Sequence, residues 1–165
     1  MSQRSQSMIR WSQILLVIPV MIREWINMFT DIGLYPHNVN LSHAIIKFPS
    51  KDDLGGLVHR NLESIVFAKF ISISWIVFHF LSAVLMFVGI CLLIKTIKRS
   101  SENFHAKKHW AILGLAVGVF SYVFCVGAGS MDYFLSWLQD PAIDFNGDIV
   151  GYGLPLGIAL LFLCH

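Results

Sequence analysis

The chain has 165 residues, of which 56% are hydrophobic and only 13% are charged, with a formal net charge of +2. Soluble domains carry about a quarter charged residues, so this composition indicates an integral membrane protein surrounded by a lipid bilayer. The small net charge, without a basic stripe with interleaved aromatic residues, argues against a nucleic-acid partner. The three cysteines lie far apart in apolar runs, which argues against a disulfide framework and a Cys-x-x-Cys metal site.

The first apolar run predicts a membrane-spanning helix over about residues 9–29. Trp11 and Trp25 lie near its two ends, where aromatic side chains settle at membrane–water interfaces. A basic start followed by an apolar run is also typical of a signal peptide. The small-x-small cleavage site of such a peptide is missing, however, because Arg23 and Glu24 follow the run. We therefore interpret it as the first span.

A polar segment over residues 30–65 separates this span from the next. Within it, Ser50-Lys51-Asp52-Asp53 predicts a capping box that opens a helix leading into the second span, about residues 66–94. Small and polar residues recur along one face of the second span, and we expect this face to turn inward. Its members are Ser72, Trp75, His79, Ser82, Met86 and Gly89.

The third span, about residues 110–131, carries a stripe of small residues at alternating steps of three and four. The stripe consists of Ala111, Gly114, Gly118, Ser121, Cys125 and Ala128. Such a smooth face lets a second helix come close, because helix association in lipid depends on van der Waals packing. We therefore expect the second and third spans to form the core pair, with Ser82 and Gly89 meeting the stripe.

Charge asymmetry predicts the orientation of the spans. Lys95, Lys98, Arg99, Lys107 and Lys108 crowd the connection between the second and third spans. The connection over residues 132–148 has four aspartates and no basic residue, and it leads to a short, glycine-rich fourth span over about residues 149–164. The positive-inside rule then favours a single all-α domain over residues 1–165, an integral membrane four-helix bundle with both termini cytoplasmic. Basic residues in the 30–65 segment, which this orientation places outside, conflict with it to a minor degree.

Counting depth at about 1.5 Å of rise per residue predicts that five residues share one layer of the membrane's outer half: Arg23, Glu24, His79, Ser121 and Cys125. Ionisable groups at membrane depth are costly, so they are candidates for a ligand-binding layer. The alternative is that Arg23 and Glu24 lie at the outer interface and His79 makes one structural hydrogen bond. Asp132 falls near the outer end of the third span and belongs to the same candidate set.

Motifs for catalysis or cofactors are weak. Nucleophile elbow, Walker loop, HExxH and dinucleotide patterns do not occur, so we assign no catalytic residue and favour a non-enzymatic protein. A b-type haem needs two facing histidines, and only His79 lies well inside the membrane; haem would require His79 to be shared with another chain. We predict no cofactor and no metal, because the histidines of the outer segment match no metal-site spacing.

Several stretches resemble an uncharacterised family of small bacterial four-span integral membrane proteins, a domain of unknown function. They are Asn27-Met-Phe-Thr-Asp31, Phe48-Pro-Ser50, Gly129 to Trp137, and Asn146-Gly147. The resemblance covers most of the chain and implies a bacterial inner-membrane location with no known activity. The family pattern has an acidic residue near the position of His79 and Phe80, where this chain differs.

Two functional hypotheses follow. The glycine-rich faces of the third and fourth spans exceed what a four-helix monomer needs, which favours an accessory or assembly subunit that packs against other membrane subunits or a second copy. The alternative is a small carrier or ligand-binding protein that uses the layer of Arg23, Glu24 and His79. A redox role through haem or quinone is a minor third hypothesis.

Overall fold

A computed structural model describes residues 3–47, 64–123, 151 and 153–164 of the chain. This part is helical throughout, apart from short connections, and contains no strand. Its helices are α1 (Gln3–Gly33), α2 (Tyr35–Ile46), α3 (Ile65–Thr96), α4 (Ser101–His105), α5 (His109–Phe120) and α6 (Leu154–Cys164). The prediction of an all-α fold is confirmed.

Two helices, α1 with 31 residues and α3 with 32, are long and apolar enough to cross a membrane. At about 1.5 Å per residue each exceeds the roughly 30 Å hydrocarbon thickness, so both extend past the expected spans of 9–29 and 66–94. The apolar helix α6 is shorter, with 11 residues. Beyond Phe120, α5 continues in a wider helical turn through residue 123, where its described part ends.

The helix α2 occupies part of the polar segment between the first two spans, where the sequence predicts a helix only from residue 50 onward. A single turn residue, Leu34, separates it from α1, and Pro36 stands in its first turn, where proline has no helical hydrogen bond to lose. Its buried residues Val39, Ile45 and Ile46 pack against Ala68 of α3. The predicted capping box at residues 50–53 lies outside the described residues; the N-cap of α3 is Ser64, whose hydroxyl accepts a hydrogen bond from the Phe67 N–H.

Glycines set the close approach of α3 and α5. Gly89 lies directly against the backbone of Ala111, so that a Cβ there would overlap it. A Cβ on Gly114 would lie 2.7 Å from the Met86 nitrogen and 2.9 Å from the Ser82 oxygen. The Ser82 hydroxyl donates to the Gly114 carbonyl at 2.8 Å. The sequence-predicted packing residues thus meet at this interface, where Gly118 also contacts Leu156 of α6.

An apolar layer fills the space between α1, α3, α5 and α6. We define this apolar layer by its fully or almost fully buried side chains, which are Val17, Val20, Met86, Leu115 and Leu156. Large apolar residues also cover the outside of these helices, among them Leu15, Ile26, Phe70, Phe87 and Leu161. An apolar exterior around an apolar core is the arrangement expected of helices surrounded by lipid.

At one end of the molecule α3 ends and the chain continues through α4 into α5; we call this the basic end (residues 95–108). Basic side chains hold the helices together there. Arg10 of α1 donates from Nη1 to the carbonyls of Ile97 at 2.8 Å and Arg99 at 2.7 Å. Lys108 donates from Nζ to the Leu163 carbonyl at 3.0 Å, in the last turn of α6. These are carbonyls that a helix end leaves without a helical partner. Phe104 of α4 is fully buried between the two cations.

Candidate functional site

Two almost fully buried ionisable groups face each other from α1 and α3. Nδ1 of His79 lies 2.8 Å from Oε2 of Glu24, and the two side chains are only 3% and 1% exposed. Each residue lies within a long apolar helix, on the face that the two helices share. At this distance one of the two atoms carries a proton that the other accepts, so the pair is a charge-assisted hydrogen bond.

A second carboxylate lies on the other side of the same imidazole ring. Asp31 follows Glu24 by seven residues, which is two helical turns, so both project from the same face of α1. Its Oδ2 lies 3.5 Å from Nε2 of His79, and its side chain is 23% exposed. Asn38 of α2 donates to the other oxygen of Asp31 at 3.1 Å. We call Glu24, His79 and Asp31 the carboxylate–imidazole cluster.

Aromatic rings fix the plane of the imidazole. Trp75, one turn earlier on α3, stacks on His79 with ring centroids 5.4 Å apart and planes inclined by 20°. Tyr122, just beyond α5, lies 5.5 Å from the imidazole and 5.7 Å from the indole. Asn27 of α1 donates to the Tyr122 hydroxyl oxygen at 2.8 Å. These contacts hold both ring nitrogens toward the carboxylates.

The charges of the cluster do not balance. Two ionised carboxylates carry more negative charge than one imidazole can neutralise, even as imidazolium. Burying an uncompensated charge is costly, because the low-dielectric interior does not solvate it as water does. The carboxylate–imidazole cluster therefore has the capacity to take one further positive charge.

The additional positive charge would be bound at one oxygen of Glu24. Oε1 is buried and has no hydrogen-bond partner among the described residues, and the same is true of the Ser121 hydroxyl. An unsatisfied buried polar atom costs about 1–3 kcal/mol, and more when the group is charged. A carboxylate placed only for structure would have both oxygens satisfied, so the free oxygen points to an occupant.

The sequence-predicted site residues divide into three groups. Glu24 and His79 come together directly, as described above. Arg23 is directed away from the cluster, because its Nη1 donates to the Gly151 carbonyl at 2.6 Å. Cys125 and Asp132 lie outside the described residues.

The sequence interpretation did not place Asp31, Asn38 or Tyr122 in the site. A signal for the first was present, since Glu24, Asn27 and Asp31 recur at steps of three and four and therefore share one face of a helix. It was missed because the first span was expected to end before Asp31. Tyr122 does not belong to the predicted stripe of small residues in the third span, and it is nevertheless buried.

The geometry gives little room for a metal at this cluster. Within the described ranges, three His, Cys, Asp or Glu side chains do not converge in a way that could hold a metal ion. Both nitrogens of His79 face carboxylate oxygens, so neither is directed at an open coordination position. As a haem ligand, His79 would have to give up one of these contacts.

A comparison with protein families matches residues 9–163 to a family described as predicted small integral membrane protein (DUF2165). Neither the curated proteins nor the solved structures contain a significant match to the chain. The family match spans every helix that contributes to the carboxylate–imidazole cluster and carries no assigned activity.

Proposed function

Because the chain belongs to the DUF2165 family of small integral membrane proteins, we propose that it binds a small cation, a proton included, at the carboxylate–imidazole cluster. The observation that carries the proposal is the 2.8 Å contact between His79 and Glu24, both almost inaccessible, on the two helices long enough to cross the membrane. Ionisable residues at membrane depth are rare, expensive, and concentrated in ion and proton sites.

Depth supports this assignment. Basic side chains at the ends of membrane helices reach the headgroup level, which puts Arg10 near one surface. Glu24 lies 14 residues further along α1, or about 21 Å, and Asp31 about 31 Å, against a hydrocarbon thickness of roughly 30 Å. The Glu24–His79 pair thus falls inside the membrane. Asp31 falls near the surface opposite the basic end, which we call the distal end.

The test is a titration of the purified protein in lipid nanodiscs, with protons counted by potentiometry and His79 followed by nitrogen NMR. We expect wild type to take up more protons on acidification than Glu24→Gln, which lacks the ionisable carboxylate of the buried pair. The matched control is Glu102→Gln, at an exposed carboxylate of α4. Equal uptake by wild type and Glu24→Gln, together with His79 signals that do not respond to pH or salt, would overturn the proposal.

A second function, that of an accessory or assembly subunit, is favoured by the outer surface of α6. Gly157 and the preceding Gly151 have open space where a Cβ would stand, while Gly89, Gly114 and Gly118 are used inside the molecule. Small residues facing outward permit another helix to approach closely. The partner would be a larger membrane complex or a second copy of the chain.

Native membranes extracted in mild detergent test this second function. We expect stable co-purifying subunits or a homo-oligomer, and a lone monomer would contradict it. An absorbance spectrum of the same sample tests whether His79 shares a haem with another chain, since such a complex would show a Soret band.

For the topology we propose a four-helix bundle in a bacterial inner membrane, with both termini cytoplasmic. The cations of the basic end support it through the positive-inside rule. Labelling of single cysteines in intact cells tests it: a cysteine at exposed Lys98 should resist an impermeant reagent, and one at exposed His37 should react. The reverse pattern would invert the orientation.

A further inference from the structure

Among the described residues, a path of polar groups leads to the buried pair from one end of the molecule. On the distal side, Asp31 is partly exposed and contacts both His79 and Asn38. Toward the basic end, the next polar side chain of α1 on the inner face is Gln13, eleven residues or about 16 Å from Glu24. The apolar layer fills the space between them. The Ser82 hydroxyl in that region donates its hydrogen bond to the Gly114 carbonyl.

The kind of cation follows from the number of available ligands. Metal cations bound through oxygen collect several ligands around them, about six to eight for calcium and six for magnesium. The carboxylate–imidazole cluster offers one unpartnered oxygen, Oε1 of Glu24, among the described residues. A proton needs only one acceptor, and the imidazole between two carboxylates can both receive and donate it.

We infer that the bound cation is a proton, that it enters from the distal surface through Asp31, and that Glu24 is its final acceptor. This inference rests on the proposed function and makes it more specific. The site then responds to the pH on one side of the membrane. The apolar layer separates it from the other side.

The transfer balances in protons. A hydronium ion gives its proton to the Asp31 carboxylate and leaves as water. Asp31 then passes a proton to Nε2 of neutral His79, while His79 passes its Nδ1 proton to Oε2 of Glu24. Asp31 returns to the carboxylate, the imidazole stays neutral in its other tautomer, and Glu24 ends as a neutral acid that donates back to Nδ1. The buried cluster has lost one negative charge.

The surroundings add few competing charges to this path. From α2 the group in contact is the neutral amide of Asn38; its two histidines, His37 and His43, are exposed and half-buried. From the α5 side it is Tyr122, which accepts from Asn27. Arg23 is engaged at Gly151, on the approach to α6.

The stacked indole of Trp75 provides the readout, because the loss of one negative charge from the adjacent cluster changes the electric field at the indole and therefore its fluorescence. The experiment uses the full chain with Trp75 as sole tryptophan, reconstituted into vesicles of neutral lipid with the distal end facing outward. Acid is added outside in one run and generated inside in the other. We expect a fast response to external acid and a response at least about tenfold slower to internal acid, because the apolar layer offers no relay.

Asp31→Asn keeps the shape of the entry residue and removes its proton acceptor. We expect it to slow the response to external acid by about tenfold or more while the final change in fluorescence is retained. Glu102→Gln should respond like wild type. If Asp31→Asn does not fold, the comparison of external and internal acid in wild type still decides the sidedness.

The results that would contradict distal entry differ from those that would contradict cation binding. Equal rates from both sides, or an unchanged rate in Asp31→Asn, would overturn the distal entry while leaving cation binding intact. A response to sodium or potassium at constant pH would replace the proton with a metal cation. The absence of any response to acid or salt in wild type, with a Glu24→Gln titration equal to that of wild type, would remove the proposed function itself.

Discussion

At the scale of single residues, His79 is the side chain on which the site depends. Its two nitrogens face Glu24 and Asp31, which belong to the same helix, so one ring joins α3 to α1 at two positions two turns apart. Removing the ring would leave Glu24 buried, charged and without its partner. Removing both charged partners would leave an apolar contact instead, which membrane surroundings tolerate well.

His79→Leu should therefore destabilise the protein by about 3–5 kcal/mol, because it leaves the buried Glu24 carboxylate without its partner. The double variant Glu24→Leu/His79→Leu should recover much of that loss, giving a coupling that a double-mutant cycle can measure. Unfolding in mixed micelles, followed by circular dichroism, gives the free energies. Additive single effects would show that the two side chains do not depend on each other.

Counting rise along the spans was enough to put Glu24 and His79 in one layer, because depth depends only on residue number. The same count could not separate Glu24 from Arg23, since consecutive residues lie about 100° apart around a helix and face different neighbours. The sequence could not predict that Asp31 and Asn38 belong to the site, for another reason. Their place in the site depends on α1 continuing to Gly33 and turning back into α2 within one residue.

At the scale of the elements, glycine positions decide how close α3 and α5 come. The periodic stripe of small residues predicted this pairing, because the pattern that permits close approach is visible in the sequence. The helix α2 was not predicted, since Gly33, Pro36 and its asparagines are residues that also favour turns. Only its packing against α3 through Val39, Ile45 and Ile46 fixes it as a helix.

Gly114→Ala should lower the free energy of unfolding by about 1–3 kcal/mol, because the new methyl group meets backbone atoms of α3 that cannot move aside. Gly157→Ala is the matched control, since open space surrounds its Cβ position and alanine favours a helix by about 1 kcal/mol. It should leave stability unchanged or slightly raised in the isolated protein. Equal losses in both variants would show that the α3–α5 approach is not the cause.

At the scale of the whole molecule, the basic end holds four helices together through two cations. Arg10 reaches from α1 to the end of α3, and Lys108 reaches from the start of α5 to the end of α6. The charge pattern of the sequence identified Lys108 as a topology signal and did not single out Arg10. Their role in packing depends on tertiary distances that no charge count contains.

Arg10→Met should cost about 1–3 kcal/mol, because two charge-assisted hydrogen bonds to helix-end carbonyls are lost, one of them exposed to solvent. Lys98→Met, at an exposed cation of the same end, is the control and should have little effect. Thermal unfolding in nanodiscs compares the two. A similar loss in both would indicate a general effect of charge on the membrane surface.

Burial lowers the pKa of Lys108 from its ordinary value of 10.5, and the neighbouring Cys164 offsets this only in part by raising it. The unfolded chain then binds more protons than the folded one between the lowered value and 10.5, so the free energy of unfolding should rise with pH across that window. Denaturant unfolding at a series of alkaline pH values checks this. The rise should be smaller in Lys108→Met and unchanged in Lys107→Met, whose cation is exposed.

The hydrogen bond between Lys108 and Leu163 joins residues 55 positions apart, and this separation predicts the order in which the helices pack during synthesis. During synthesis Arg10 can reach its carbonyls once Arg99 has left the ribosome, whereas Lys108 has to wait for Leu163. We therefore expect α1 and α3 to pair first and α6 to join last. Nascent chains halted before Phe162 should show protease protection of α1 and α3 with Lys108 still open to acylating reagents; early protection of Lys108 would contradict this order.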